Sequence, residues 1–272
     1  MQKTKVQKFI TENRWFKAVP NSLTLCNSLC GFAAILYTIR AFRASDYSAQ
    51  ALFISAWIIL GAMIFDALDG LAARVFNAAS MRGMEMDSLA DMVTFGVAPA
   101  AIIAVMAHSI KDATGAYDAY VYAMSGIYVS CAALRLATYN VHAILNDKTS
   151  EDFSGLPSPG AAAGICSVLI FFNSAELYER FNMELAAYLP IYAALLGLLM
   201  VSRFSYLHVG KWIFSARRNN HRFLIMLTVL LLIAIFKVYA FAALVNLYVF
   251  SAPAMALIRL FKKNKPDTHT IN

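Results

Sequence analysis

Charge is scarce in this chain. Asp, Glu, Lys and Arg together make up 14% of its 272 residues, where a soluble globular domain carries about a quarter. Apolar residues make up 60%, and the mean hydropathy is +0.59. Length alone would permit one or two soluble domains; this composition excludes them and points to an integral membrane protein. Cysteine is scarce too. Cys26, Cys30, Cys131 and Cys166 all lie in apolar runs. The first two share a helix face, but no His or further Cys completes a zinc pattern, so the four read as small core residues. Met1–Pro20 has no apolar run before a small-residue cleavage site, so no cleavable signal peptide is expected. There is no internal repeat and no low-complexity segment. Acid is the minority charge, leaving a net +7. The surplus Lys and Arg flank apolar stretches instead of lining one groove, which favours anionic lipid over nucleic acid.

The few acids are not scattered. Asp66, Asp69, Asp87 and Asp91 fall at the ends of two apolar segments, around Asp66-Ala-Leu-Asp69-Gly70-Leu-Ala-Ala73-Arg74 and Gly83. Carboxylates embedded in lipid-spanning sequence are costly and by default mark a functional site. Asp66 and Asp69 are three apart, and Asp87 and Asp91 four apart, so each pair shares a helix face. Gly70 and Ala73 lie on the face of the first pair. Gly83 lies one turn before Asp87. Small residues there let a helix or a ligand backbone approach closely. Carboxylates without His or Cys suit a hard divalent cation, Mg²⁺, Mn²⁺ or Ca²⁺. The expectation is a site for one or two ions at the mouth of a membrane cavity, acting on a phosphate substrate. A purely structural cluster neutralised by Arg74 and Arg82 is disfavoured, because apolar replacements would cost less than buried acids.

In chain order, residues 1–20 read as a basic amphipathic helix in the headgroup region, with Lys3, Lys5, Lys8, Arg14 and Lys17 among Val6, Phe9, Ile10, Trp15 and Phe16. Pro20 is expected to open the first span, capped by Asn21 or Ser22. Five more spans follow in 21–203, with Gly96 and Pro99 loosening the third just past Asp91. Arg135 falls in the fourth, placed to snorkel or to grip a phosphate or carboxylate. The polar run 141–159 ends in Gly155-Leu-Pro-Ser158-Pro159 and reads as a lid or selectivity loop. Residues 204–260 form a polar link and two further spans with Lys237 at their turn. Residues 261–272 form a flexible basic tail. The fold class is an all-α polytopic helical bundle. Eight spans put both termini on one side, most Lys and Arg fall there, and the positive-inside rule makes that side cytosolic. The acidic site then faces the cytosol.

The pattern D-x-x-D-G-x-x-A-R-x8-G-x3-D-x3-D, complete from Asp66 to Asp91, resembles the signature of the CDP-alcohol phosphotransferase family. The resemblance covers Pro20 to Arg203. It implies that Asn21 and Thr24, in a P-N-x-x-T element, contact the nucleotide or a metal-bound phosphate. It also implies that Asp66, Asp69, Asp87 and Asp91 hold the metal, that Asp91 is general base, and that the enzyme is a membrane homodimer. Gly70 and Ala73 would leave room for cytidine, and Arg74 would pair with phosphate or orient an aspartate. The wording around Asp87–Pro99, Arg135–Val141 and Gly155–Pro159 looks like the branch that acts on CDP-diacylglycerol and L-serine in the bacterial cytoplasmic membrane. One departure is Thr138-Tyr139-Asn140, where that branch carries Arg-Phe-Asn. Arg135 is the candidate for the serine carboxylate, with Asn140 and Ser158 shaping the acceptor site. Two other readings stand beside this one. The acceptor could be glycerol phosphate or an inositol phosphate, or the chain could be a divalent-cation transporter.

Overall fold

Lipid leaves no water to satisfy backbone groups, so apolar segments this long close their hydrogen bonds internally as helices. The computed structural model describes residues 14–43, 49–76, 80–108, 115–145, 155–174, 187–206 and 220–263. Among these, every regular element is helical: α1 (Arg14–Arg43), α2 (Ala49–Val75), α3 (Met81–Asp91), a wider π-helical turn (Met92–Val97), α4 (Ala98–His108), α5 (Gly115–Leu145), α6 (Ser158–Ser174), α7 (Leu189–Val201) and α8 (Asn220–Lys263). Five of the helical stretches are long and apolar enough to cross a membrane, and α6 and α7 are shorter apolar helices. The chain is an all-α integral membrane protein. Residues 1–13, most of the polar run 146–154, the link 207–219 and the tail 264–272 lie outside the described residues.

Pro20 does not begin the first span. It sits inside α1, whose helix is already formed at Arg14. A proline ring removes one N–H and crowds one carbonyl, but side-chain hydroxyls and neighbouring helices can absorb that loss in a membrane helix. The carbonyl left without its N–H donor is that of Phe16, in the first turn of α1. The expected cap is also absent, since Ser22 Oγ donates back to the Ala18 carbonyl at 3.0 Å. The loosening expected from Gly96 and Pro99 is present as the π turn directly after Asp91, with Pro99 buried in α4. At the C-terminal end, α8 is broken at Lys237 (φ 45°, ψ −118°), where a turn between two spans was expected.

The core runs through the bundle around Leu52, Ile59, Phe95, Ile102, Tyr128, Ile165 and Leu196, each almost fully buried. Small and hydroxyl residues let the helices meet closely. Ser55 of α2 donates to the Ala34 carbonyl of α1 at 2.7 Å and lies 3.0 Å from Thr38 Oγ1. A Cβ on Gly31 would collide with Thr94 of the π turn, and one on Gly197 would come within 2.9 Å of the Tyr128 backbone. The π turn is clamped from both sides: Thr94 Oγ1 donates to the Asn27 carbonyl at 3.0 Å, and Tyr128 to the Phe95 carbonyl at 2.8 Å. Gly155 has φ 106°, which favours glycine, and its N–H donates to the Phe204 carbonyl at 2.8 Å. Leu156 N–H follows with 2.9 Å to the Leu199 carbonyl, so the entrance to α6 is fastened to the end of α7. Asn246 ties α8 to this body: it accepts from Tyr192 at 2.7 Å and donates to Ser167 at 3.3 Å.

These contacts set a stability test. Gly31→Val overpacks the α1–π junction and is expected to cost about 1–3 kcal/mol, read as a lower apparent melting temperature in detergent. Gly61→Ala, at a site with nothing within 4 Å of the new Cβ, is expected to be neutral or slightly stabilising through helix propensity. Equal melting temperatures for the two variants would contradict the packing described.

Candidate active site

Two helix ends and one helix flank build the site. The C-terminal end of α2 carries Asp66, Asp69, Gly70 and Ala73. The chain re-enters at Ser80, whose extended backbone and side chain cap α3 by accepting from Gly83 N–H at 3.0 Å. That cap fixes where α3 starts, and with it the phase at which Asp87 and Asp91 face α2. One carboxylate oxygen each from Asp66, Asp69 and Asp87 lies within 4.8 Å of the others. Asp91 stands beside this trio as an electrostatic neighbour of Asp66. The flank is α1. Its Thr24 donates to Asp69 Oδ2 at 2.8 Å, and its Asn27 donates through Nδ2 to Asp91 Oδ1 at 3.1 Å.

Charge makes the cluster informative. Asp69 is 5% exposed, and the Asp87 Oδ1 atom is buried with no hydrogen-bond partner among the described residues. Neither arginine of the motif neutralises the acids. Arg74 is exposed and turns back to donate to the Gly70 carbonyl at 2.9 Å. Arg82 is exposed as well. Buried like charges of this kind require a counter-charge. An all-carboxylate donor set with an unsatisfied oxygen fits a hard divalent cation. Asp66, Asp69 and Asp87 are the residues that could hold it.

A cleft of about 200 Å³ opens onto the acids. Five of the residues expected to bind the nucleotide-lipid line it: Asn21, Thr24, Gly70, Ala73 and Gly83. Asp69 and Asp87 line it too. A Cβ on Gly70 would meet nothing within 4 Å, so this face is open to a ligand. Gly83 is tighter, with Ser80 Oγ 3.1 Å and Asn21 Oδ1 3.5 Å from where its Cβ would stand. Arg74 does not line the cleft and touches it only through Gly70. Tyr139 and Ala143 of α5 supply a third wall.

The expected acceptor residues are spread more widely. Arg135 is buried at Nε and Nη1, neither of which has a hydrogen-bond partner among the described residues. Its electrostatic neighbours are Tyr248 of α8, Asp91 and Tyr139. Asn140 is tied to α3, its Oδ1 accepting from Ser88 at 3.0 Å. Ser158 is buried in the first turn of α6 and is not part of the cleft lining. Sequence reasoning missed Asn27, Thr94, Tyr139 and Tyr248. A signal existed for the first: Asn21, Thr24 and Asn27 recur every third residue, a polar stripe along one face of an apolar helix.

The family described as CDP-alcohol phosphatidyltransferase matches residues 17–199. A Helicobacter pylori (strain J99 / ATCC 700824) protein named CDP-diacylglycerol–serine O-phosphatidyltransferase is 31% identical over 234 residues, covering 84% of this chain and 86% of that protein. A Bacillus subtilis (strain 168) protein of the same name is 32% identical over 197 residues, covering 71% of this chain and 92% of its own. A Saccharomyces cerevisiae protein of that name is 36% identical over 189 residues, covering 65% and 64%.

The acid cluster yields a prediction that needs no turnover assay. Mn²⁺ at about 100 times its dissociation constant is expected to stabilise the folded protein by about 2.7 kcal/mol, read as a rise in melting temperature that a chelator reverses. Asp87→Asn is expected to abolish most of that rise. It should also raise the melting temperature of the cation-free protein, since one of the facing charges is gone. A full Mn²⁺ response in Asp87→Asn would remove Asp87 from the cation site.

Proposed function

This chain belongs to the CDP-alcohol phosphatidyltransferase family, and on that premise we propose that it transfers a phosphatidyl group from CDP-diacylglycerol to L-serine, giving phosphatidylserine and CMP. One observation carries the reading. Asp69 and Asp87 of the carboxylate trio line the same cleft as Asn21, Thr24, Gly70, Ala73 and Gly83. A diphosphate is the ligand that needs both a cation-holding cluster and adjoining room for a nucleoside. The names of the relatives support serine as acceptor, and so does Arg135.

The step balances simply. The serine hydroxyl oxygen forms a bond to the phosphorus that carries diacylglycerol. The bond from that phosphorus to the CMP oxygen breaks, CMP departs with the electron pair, and the hydroxyl proton passes to a base. A neutral hydroxyl is a poor nucleophile, so a positioned carboxylate contributes. Asp91 is that base: it lies beside the trio, with one oxygen already engaged by Asn27. Asp66, Asp69 and Asp87 would hold the divalent cation, Mg²⁺ or Mn²⁺ with Ca²⁺ a further candidate, and Asp91 beside them is left to act as base. When bound, such an ion supplies positive charge to the diphosphate and to the departing CMP. Thr24 orients Asp69 through its 2.8 Å hydrogen bond. The open faces of Gly70 and Ala73 admit the cytidine, and Arg74, which donates to the Gly70 carbonyl, steadies that wall of the cleft. Arg135 Nε and Nη1 are buried with no hydrogen-bond partner among the described residues, and Asp91 is an electrostatic neighbour of this group. A guanidinium of this kind matches the serine carboxylate, and Asn140, held by Ser88, is assigned to shape the acceptor site with it. The proposed setting is a homodimer in the bacterial cytoplasmic membrane with the cleft open to the cytosol, in keeping with the distribution of Lys and Arg.

The assay is CMP release from CDP-diacylglycerol in detergent or vesicles, with serine, glycerol phosphate or inositol phosphate as acceptor. Release is expected with serine and a divalent cation, and is expected to stop on chelation. Asp91→Asn should lower kcat by about 10²–10⁴ while CDP-diacylglycerol still binds. Arg135→Ala should raise the KM for serine far more than that for CDP-diacylglycerol. Preference for a phosphorylated acceptor would overturn the serine assignment. Mn²⁺ uptake by sealed vesicles without any CMP release would replace the enzyme with a transporter.

A further inference from the structure

Asn27 lies in the middle of an apolar helix and is fully buried. Its Nδ2 donates to Asp91 Oδ1 at 3.1 Å, while its own Oδ1 is buried without a hydrogen-bond partner among the described residues. The amide orientation follows from chemistry, because a carboxylate oxygen accepts and only the NH₂ end can donate to it. An asparagine serving the fold would be expected to satisfy both ends, since an unsatisfied buried amide oxygen is costly. This one makes a single described side-chain bond, and that bond goes to Asp91.

The backbone around it is held with matching care. The Asn27 carbonyl accepts from Thr94 Oγ1 at 3.0 Å. Thr94 belongs to the π turn that starts immediately after Asp91, and Gly31, one helical turn beyond Asn27, packs directly on Thr94. Asn27 is therefore joined to the Asp91 segment twice, once through its side chain to the carboxylate and once through its main chain to the turn that follows. Asp91 is the one acid of the four outside the mutual 4.8 Å trio, though it lies close to Asp66. Without a competing donor, a cation held by the trio would draw Asp91 in as a further ligand.

We propose that Asn27 is a positioning residue for the transfer step: by donating to one oxygen of Asp91 it keeps that carboxylate out of the cation cluster and turned toward the acceptor hydroxyl. The proposal rests on the reading of Asp91 as base. It assigns Asn27 no contact with CDP-diacylglycerol or the cation, so its loss should affect the rate of the transfer step and leave binding alone.

The test compares Asn27→Leu, which keeps size and loses the donor, with Asn27→Gln, which keeps the donor and strains the packing. For Asn27→Leu, kcat is expected to fall about 10- to 100-fold, the scale set by misplacing a catalytic group by about 1 Å. The KM for CDP-diacylglycerol should hold within about twofold, and the Mn²⁺-induced rise in melting temperature should be retained. Asn27→Gln is expected to recover part of the lost kcat. If Asn27 serves packing alone, the order reverses, with Leu tolerated and Gln damaging. A raised KM or a lost Mn²⁺ response in Asn27→Leu would place the residue in the binding machinery and overturn the proposal. If Asn27→Leu does not fold, Asn27→Gln and Thr94→Val are read on the same scale. Unchanged kcat in both would overturn it, and a selective fall in kcat in Thr94→Val, which cuts the main-chain tether, would support it. A wild type that releases CMP only with another acceptor corrects the substrate, and the variants are then measured with that acceptor. A wild type that releases none with any acceptor overturns the functional reading and this one with it.

Discussion

Mutual repulsion among carboxylates is the constraint this structure is built around. Carboxylates this close repel one another whenever they are ionised, so the helix ends that bear them have to be kept from parting. The protein prevents it by placing the acids on two segments that α1 grips separately, α2 through Thr24–Asp69 and α3 through Asn27–Asp91. The result is a site held ready for positive charge and not created by it. Preorganisation of this kind is what makes electrostatic stabilisation effective in a site sheltered from water.

The grip depends on helices that approach closely, and lipid offers no hydrophobic drive to bring them together. Residues without bulk supply the contact instead. Gly31 against Thr94 and Gly197 against Tyr128 let backbones meet where any larger side chain would collide. Hydroxyls and amides then act as bolts between helices, as with Ser55 to Ala34 and Asn246 between Tyr192 and Ser167. The second set matters for α8, which lies beyond the residues that match the family. Through Asn246 it belongs to the same packed body as α6 and α7, and it brings Tyr248 next to Arg135.

Much of the architecture was legible because the chemistry imposes local rules. Membrane helices announce themselves by composition, and carboxylates spaced three and four apart declare a shared face whatever the tertiary structure. Lys237, expected as the turn between two spans, coincides with the break in α8. Pro20 misled, because its steric preference for a helix start is a local statement, and the helix already formed from Arg14 overrode it. Ser158 looked like a site residue from the Gly-Leu-Pro-Ser-Pro wording, yet the fastening of Gly155 and Leu156 to the end of α7 draws that segment into the core, away from the cleft lining. Asn27 and Tyr248 were missed for the opposite reason. Their partners lie far away in sequence, and one amide or phenol in an apolar run carries no local pattern that names its partner.

The π turn after Asp91 has a consequence for how the two halves of this span relate. A turn of this type takes about one residue more than an α-helical turn, so the face presented by α4 is rotated relative to that of α3. Upstream of the turn, side-chain direction answers to electrostatics; downstream, where Ile102, Ile103 and Met106 are buried, it answers to shape. The turn works like a coupling between two shafts set at different angles. Each half can be tuned by substitution without forcing a compromise on the other, which a straight helix with a single phase would not allow.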